Sequence, residues 1–595
     1  MTGSKIEALR KLMQKNKIQA YLIPSTDPHQ NEYLPAIWER RKWISGFTGS
    51  AGELVVTGKK AGLWTDSRYF LQAEQQLRGT SIKLFKIGIP GTPSIMEWLK
   101  NELKAGERVG IDPQLISYQE YQKLDSYLKT WQIDLTAIAP NLVDKVWSDQ
   151  PEFPQSPIHS HALKYAGETT AVKLQLLRAQ MKQEGAAAHI INTLDANAWL
   201  FNIRGRDIEY NPLAICYSII TNQQAMLFIP LNKVNPRIKQ HLGSQVKIYP
   251  YEQFTEWLKK LSREKTKIWL DPAATSWWVV DHLKKRAELF FKESPVTRLK
   301  AIRNKIQISG LKAAQLRDGA AMVKFLSWLQ SEISRRSITE LSAAEKLYQF
   351  RAEQDLFQGL SFQTISAYRE HGAIVHYSST PETDIPLKRS GIYLIDSGGH
   401  YLDGTTDITR TIALGKPTRR QKELFTRVLQ GHIQVATASF PRGTAGNQLD
   451  TLARKPLWNM GLNYGHGTGH GIGSYLNVHE GPQAISYYRG IGVILEPGMV
   501  ISNEPGFYQA GEFGIRIENL ILVVPDRKLS RPGSEFLTFE TVSYCPIDLA
   551  LVDKSLLSSD EIRWLNQYHR QVRKLLTPFL TAKEGRWLER ATRPF

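Results

Sequence analysis

The chain has 595 residues, a formal net charge of +19, 42% hydrophobic and 22% charged residues, and two cysteines. That length exceeds what one hydrophobic core organises, so about three or four domains are expected. The composition excludes a disordered or collagen-like chain. Cys216 and Cys545 stand too far apart in sequence to suggest a disulfide framework, which points to a reducing compartment. The first seventeen residues, MTGSKIEALRKLMQKNK, carry charge throughout and lack an apolar h-region, so they do not read as a signal peptide. No run approaches the ~18 apolar residues of a spanning helix. Lysines and arginines are scattered in twos and threes (Arg40-Arg41-Lys42, Lys284-Lys285-Arg286) rather than gathered in a tail. The expectation is a soluble cytoplasmic protein with a basic surface and no nucleic-acid or membrane partner.

In chain order, Ile6, Leu9 and Met13 predict an amphipathic first helix. GELVVTGKKAGLWTDSRYF reads as a hairpin turning at Gly58-Lys59-Lys60. RVGIDPQLISYQEYQKL, from Arg108, reads as a short strand followed by a helix started by proline. SDQPEFPQSP, ending at Pro157, reads as a linker. The pattern then recurs: a helix near 172–183, strand-turn-strand in AICYSIITNQQAMLFI, and KIWLDPAATSWWVVDHL as the counterpart of the Arg108 segment. Asp112-Pro113 and Asp271-Pro272 hold matching places, which suggests two copies of one α/β unit. Long helices follow over about 308–335 and 341–354, then antiparallel strands alternating with helices, an α+β pattern. Ser558 and Glu561 form a capping box for a last helix with Ile562, Leu565, Val572 and Leu575 on one face.

The chemistry concentrates late in the chain. IDSGGHYLDGTTDITRT, residues 395–411, reads as a β-hairpin that places Asp396 and Asp407 on neighbouring strands. Carboxylates held that close repel unless a proton or cation lies between them, although many Asp-Gly-Thr hairpins are only hairpins. YGHGTGHGIGSYLNVHEGP supplies His466, His470 and His479 in a glycine-rich run able to wrap a site. Glu504 precedes a Pro-Gly turn, and Glu518 interrupts an apolar strand-like run where an isolated charge is costly. Two aspartates, a histidine and two glutamates suit two divalent first-row metals.

These motifs, with HGAIVHY and NEPGFYQAGEFGIRIEN, resemble the pita-bread metallopeptidases. Within that class the chain is most similar to cytosolic-type three-domain Xaa-Pro aminopeptidases (aminopeptidase P), and the likeness covers nearly its whole length. The resemblance implies two creatinase-like α/β domains over 1–150 and 151–297. A pita-bread catalytic domain with a C-terminal helical extension would occupy 298–595. It implies two divalent metal ions, manganese in this subfamily, with Asp396 on one, His470 and Glu504 on the other, and Asp407 and Glu518 bridging. A bridging hydroxide would attack the scissile carbonyl of Xaa-Pro-Yaa peptides while Glu504 moves the proton. His376, on a strand, with His466 and His479 would lie near the substrate, and Tyr508 and Arg516 would orient the ligands. A homodimer is implied as well. His400, His432 and Cys545 match no functional position and read as structural. Asn503 stands where relatives often have aspartate, and Arg369-Glu370-His371 replaces a Pro-Asn-Gly-like turn. The alternatives are a prolidase cleaving Xaa-Pro dipeptides and a non-catalytic pita-bread binding module. The duplicated first half disfavours the former, and the complete ligand set the latter.

Overall fold

The computed structural model describes residues 2–488 and 492–595. The chain separates into two compact units: Met1–His161 with Glu168–Thr297, and Ala162–Gly167 with Arg298–Phe595. Among the described residues no helix is long and apolar enough to cross a membrane.

The first unit opens with helix α1 (Thr2–Lys15), whose Ile6, Leu9 and Met13 are buried as the periodicity predicts. It holds two six-stranded sheets. The first comprises β1 (Ala20–Ile23), β2 (Glu53–Thr57), β3 (Ala61–Thr65), β4 (Ile82–Lys86), β5 (Arg108–Ile111) and β6 (Asp134–Ala137), in the spatial order β4-β3-β2-β1-β5-β6. The second comprises β7 (Ala188–Ile191), β8 (Tyr217–Thr221), β9 (Ala225–Phe228), β10 (Val246–Tyr249), β11 (Lys267–Leu270) and β12 (Glu288–Phe291), in the order β10-β9-β8-β7-β11-β12. Strand for strand the orders and directions coincide: antiparallel in each central meander, parallel at both flanks. The internal duplication inferred from the two Asp-Pro pairs is therefore a duplication of topology.

The aspartates explain why the pairs match. Asp112 Oδ1 accepts from Gln114 N at 2.9 Å, and Asp271 Oδ1 from Ala273 N at 3.0 Å, so each closes an Asx turn after its strand. The helices that follow are α2 (Tyr118–Lys129) and α3 (Trp277–Leu283). Contrary to the expectation of a proline start, α2 begins at Ser117, which forms a capping box with Glu120, while Pro113 stays in the turn. The two copies meet back to back at these helix starts, where Tyr118 N donates to Thr275 O and Trp277 N to Ile116 O, at 2.8 and 2.9 Å.

The second unit is built on α4 (Lys305–Glu332) and α5 (Glu340–Ala352). Strands β13 (Ile365–Tyr368), β14 (Ile392–Ser397) and β15 (Ile408–Ala413) form one antiparallel sheet with β14 in the middle. Helices α6 (Arg419–Ala436) and α7 (Gly446–Trp458) follow. A four-stranded antiparallel sheet then combines β16 (Ser439–Pro441), β17 (Val500–Asn503), β20 (Asn519–Pro525) and β21 (Phe536–Thr541), in the order β16-β21-β20-β17. Between β17 and β20 the chain makes a small hairpin, β18 (Gly506–Gln509) with β19 (Phe513–Arg516). The last long helix, α8 (Ser559–Leu576), is capped by Ser558 and Glu561 as the sequence indicates and buries Leu565, Tyr568, Val572 and Leu576. Each such apolar side chain contributes about 1.5–3 kcal/mol on burial.

Candidate metal centre

β14 and β15 pair antiparallel, with Asp396 opposite Thr409. Asp407 sits one residue before β15 starts. Asp407 and Thr409 alternate with Ile408, so both present the same face of the chain. The connection between β14 and β15 is not a simple turn. It carries two short strands, Gly399–Tyr401 and Gly404–Thr405, that pair with each other in a different sheet.

The histidine segment forms almost no regular structure, as its glycines predict. It pairs as Gly469–His470 against Ala484–Ile485, with an isolated antiparallel bridge between Gly471 and Ile501 of β17. A Cβ on Gly469 would collide with the carbonyl of Ser502, so only glycine lets this segment lie against β17. That approach lets His470 N donate to Ser502 Oγ at 2.9 Å, and Ser502 Oγ in turn donates to Glu504 Oε1 at 3.0 Å. Glu504 and Glu518 flank the β18–β19 hairpin, Glu504 where the chain leaves the four-stranded sheet and Glu518 where it returns to it.

These elements bring one donor atom from each of Asp407, His470 and Glu518 within 4.8 Å of one another. His470 Nε2 lies 3.5 Å from Asp407 Oδ2 and 3.4 Å from Glu504 Oε1. Its Nδ1 faces the carbonyl of Gly471 at 3.0 Å and must donate there. The Nε2 lone pair of the neutral ring therefore points at carboxylate oxygens, which is repulsive unless a proton or a cation intervenes. With a proton there, Asp407 and Glu504 outweigh the opposing effect of burial and raise the imidazole to about 9.

The carboxylates report the same crowding. Burial, with Asp407, Glu504 and Asp396 adding to it, pushes the Glu518 carboxyl well above its ordinary range. Burial raises Asp396 and Glu504 too, although Arg516 pulls both down and His470 pulls down Glu504. Asp396 Oδ1 and Glu518 Oε1 are buried with no hydrogen-bond partner. Buried carboxylate oxygens left without a donor are costly, and a bound cation would satisfy them. The set of carboxylates around an imidazole thus fits divalent metal.

A chain of hydrogen bonds backs the site. Arg516 donates through Nη2 to Asp396 Oδ2 at 2.7 Å, through Nη1 to the Tyr508 hydroxyl at 2.7 Å, and through Nε to Thr409 Oγ1 at 3.2 Å. Thr409 Oγ1 donates to Glu518 Oε2 at 2.6 Å. His466 Nδ1 donates to the carbonyl of Gly467, so its Nε2 accepts from Tyr508 at 2.9 Å. Both ring nitrogens of His466 are thus engaged inside the protein. The His479 ring stands edge-on to that of His470, centroids 4.4 Å apart. His376 does not lie on a strand, as the sequence suggested. β13 ends at Tyr368, Arg369 turns with φ of 52°, and a 3₁₀ segment, Arg369–Ala373, leads into the turn that carries His376. Gly372 packs against the backbone of Gly514, so this turn begins beside the β18–β19 hairpin.

Sequence reading missed Thr409 and Ser502. Both are visible in retrospect as hydroxyl residues two positions from an acid, hence on its face of a strand.

The chain matches the metallopeptidase family M24 over residues 309–525 and the C-terminal region of peptidase M24 over 535–595. It matches the creatinase/prolidase N-terminal domain twice, over 5–142 and 149–307. It is 41% identical to aminopeptidase P2 of Arabidopsis thaliana, over all of this chain and 89% of that one. It is 42% identical to a probable Xaa-Pro aminopeptidase P of Aspergillus fumigatus, over all of this chain and 93% of that one. Among solved structures, it superposes on the X-prolyl aminopeptidase of Caenorhabditis elegans with a TM-score of 0.96 at 38% identity, covering both chains completely. That protein is described as a cytosolic enzyme with a di-nuclear active site. The duplicated N-terminal topology, the carboxylate–imidazole cluster and these matches agree: the chain belongs to the Xaa-Pro aminopeptidase P family of M24 metallopeptidases.

Proposed function

We propose that this chain is a metal-dependent aminopeptidase that releases the N-terminal residue from peptides with proline in the second position. The observation that carries the reading is the convergence of Asp407, His470 and Glu518, with buried oxygens of Asp396 and Glu518 lacking hydrogen-bond donors, in a member of this family. Asp396, Asp407, His470, Glu504 and Glu518 would hold two divalent ions, manganese by family resemblance. Bound there, the ions would acidify a water and polarise the scissile carbonyl. Glu504, kept protonatable by burial, is suited to carry a proton towards the leaving proline nitrogen. His376 and His479 donate to carbonyl oxygens of the substrate. His466, whose ring is committed to Tyr508, acts through Tyr508 and Arg516 to hold Asp396 in place.

An Xaa-Pro bond has no N–H to offer, so a site for it needs an apolar pocket and donors aimed at carbonyls. Contacts beyond the proline exist only in longer peptides, which separates this activity from that of a prolidase. We place the domain boundaries near 150 and 297, the enzyme in the cytoplasm, and the functional unit as a homodimer formed through the catalytic unit. Exposed Trp458, Tyr487 and Tyr488 on that unit would supply apolar anchors. Light scattering that finds a monomer at micromolar concentration would remove the dimer. The function is tested by kcat/KM on Arg-Pro-Pro, Arg-Pro and Arg-Ala-Ala. The tripeptide with proline should be cut fastest. A faster dipeptide would make the enzyme a prolidase, and a faster alanine peptide would refute proline selection.

A further inference from the structure

His432 reads from sequence as a structural histidine of α6, yet it lies directly behind the two glutamates. β17 and β20 run antiparallel with Asn503 opposite Asn519, and this pair is the last rung of their ladder. Glu504 and Glu518 are the residues just beyond it, one on each chain segment. The fully buried His432 bridges that rung. Its Nδ1 lies 3.0 Å from the carbonyl of Asn503, which can only accept, so Nδ1 carries the proton. Its Nε2 then accepts from Asn519 Nδ2 at 3.1 Å. Asn503 Nδ2 returns a bond to the carbonyl of His432 at 2.9 Å, so helix and strand are tied twice.

The far side of the rung is fixed as well. Asn519 Oδ1 accepts from Arg410 Nη2 at 2.8 Å and from the Tyr568 hydroxyl at 3.2 Å. Arg410 Nη1 donates to the carbonyl of Glu518 at 2.6 Å and to that of Thr409 at 2.8 Å. One neutral imidazole, a single rigid ring, therefore couples the strand end carrying Glu504 to the one carrying Glu518.

We propose that His432 is a positioning residue for the metal centre: by bridging Asn503 and Asn519 it fixes the separation of the Glu504 and Glu518 carboxylates. This rests on the two-metal reading above. An apolar side chain at 432 would take one donor from the Asn503 carbonyl and the acceptor from Asn519 Nδ2, and both asparagines would shift to replace them. The glutamates would move with them, whereas metal sites tolerate displacements of only about 0.2 Å.

The test uses Mn2+ alone, titrated into chelator-stripped full-length protein, with calorimetry and electron paramagnetic resonance as readouts. His432→Phe should weaken Mn2+ binding by about 10–100-fold. It should also replace the exchange-coupled spectrum of paired ions with that of isolated ones, while the metal-free protein keeps its circular dichroism. A Phe variant with wild-type affinity and a coupled spectrum overturns the proposal. Should Phe prevent folding, His432→Asn carries the same test, since it keeps the donor to Asn503 and loses the acceptor for Asn519. Weakening of at least about threefold is expected there, and unchanged affinity overturns the proposal. Wild-type protein that never gives a coupled pair would sink the two-metal reading instead, which keeps the two failures distinct.

Discussion

Replacing Thr409 by valine removes one hydroxyl at the heart of the site, with the two hydrogen bonds it makes. Valine keeps the β-branched shape that suits β15 and removes only the hydroxyl. That hydroxyl donates to Glu518 Oε2 at 2.6 Å and accepts from Arg516 Nε at 3.2 Å. A hydrogen bond to an ionised group contributes about 1.5–3 kcal/mol. Since ~1.4 kcal/mol is tenfold in a binding constant, Mn2+ affinity should fall about ten- to a hundredfold. The sign also gives a pH dependence. Thr409 stabilises the ionised form of Glu518, whose carboxyl burial and neighbouring acids already push well up. Glu518 must lose its proton to bind metal in either protein, so both should bind Mn2+ less tightly at pH 6.5 than at 7.5, and the deficit of the variant should persist at both. Calorimetric titration of Mn2+ at both pH values measures this. A valine variant binding as the wild type does at both would show that Thr409 does not support Glu518.

Three further outcomes are expected. Asp407→Asn should reduce turnover by more than the 10–100-fold typical of residues behind a ligand, with circular dichroism unchanged, because an amide bridges cations poorly; retained activity in the variant would count against Asp407 as a ligand. In the first unit Lys233 Nζ lies 2.5 Å from Asp207, both fully buried, so Lys233→Met should destabilise that unit by about 3–5 kcal/mol; a melting temperature within a degree of wild type would contradict this. Burial holds His29, His432 and His569 down at about 3 and His189 at about 4. Below an unfolded-state value near 6.5 the unfolded chain binds protons that the folded one refuses, so each histidine should cost about 1.4 kcal/mol per pH unit as pH falls from 6.5 to 4. Because the raised carboxyls of the metal-free site act in the opposite sense, the readout is the comparison with His189→Gln: an identical pH slope of the denaturant midpoint in the two proteins would refute the assignment of a neutral buried ring.

Much of this architecture was legible because its causes are local. The duplication showed in two Asp-Pro pairs because each aspartate closes the same turn after the same strand. Capping residues marked the start of α8, and the glycines around His470 signalled a segment that packs too closely for side chains. The acids and the histidine stood out because charge in apolar or glycine-rich surroundings demands a reason. What stayed hidden depends on distant partners. His376 resembled a strand residue because its flanks are apolar, but the left-handed turn at Arg369 ends the strand first. His432 looked inert because nothing near it in sequence reveals that α6 packs behind Asn503 and Asn519. Thr409 and Ser502 become informative only once the acids two residues away are known to converge.

The central claim is that five side chains hold two metal ions. Its most direct measurement is the anomalous difference map of a crystal grown with Mn2+. Two peaks about 3.5–4 Å apart are predicted, enclosed by Asp396, Asp407, His470, Glu504 and Glu518. A single peak confined to Asp407, His470 and Glu518 at saturating Mn2+, in a crystal whose dissolved protein still cleaves Arg-Pro-Pro at full rate, would contradict it.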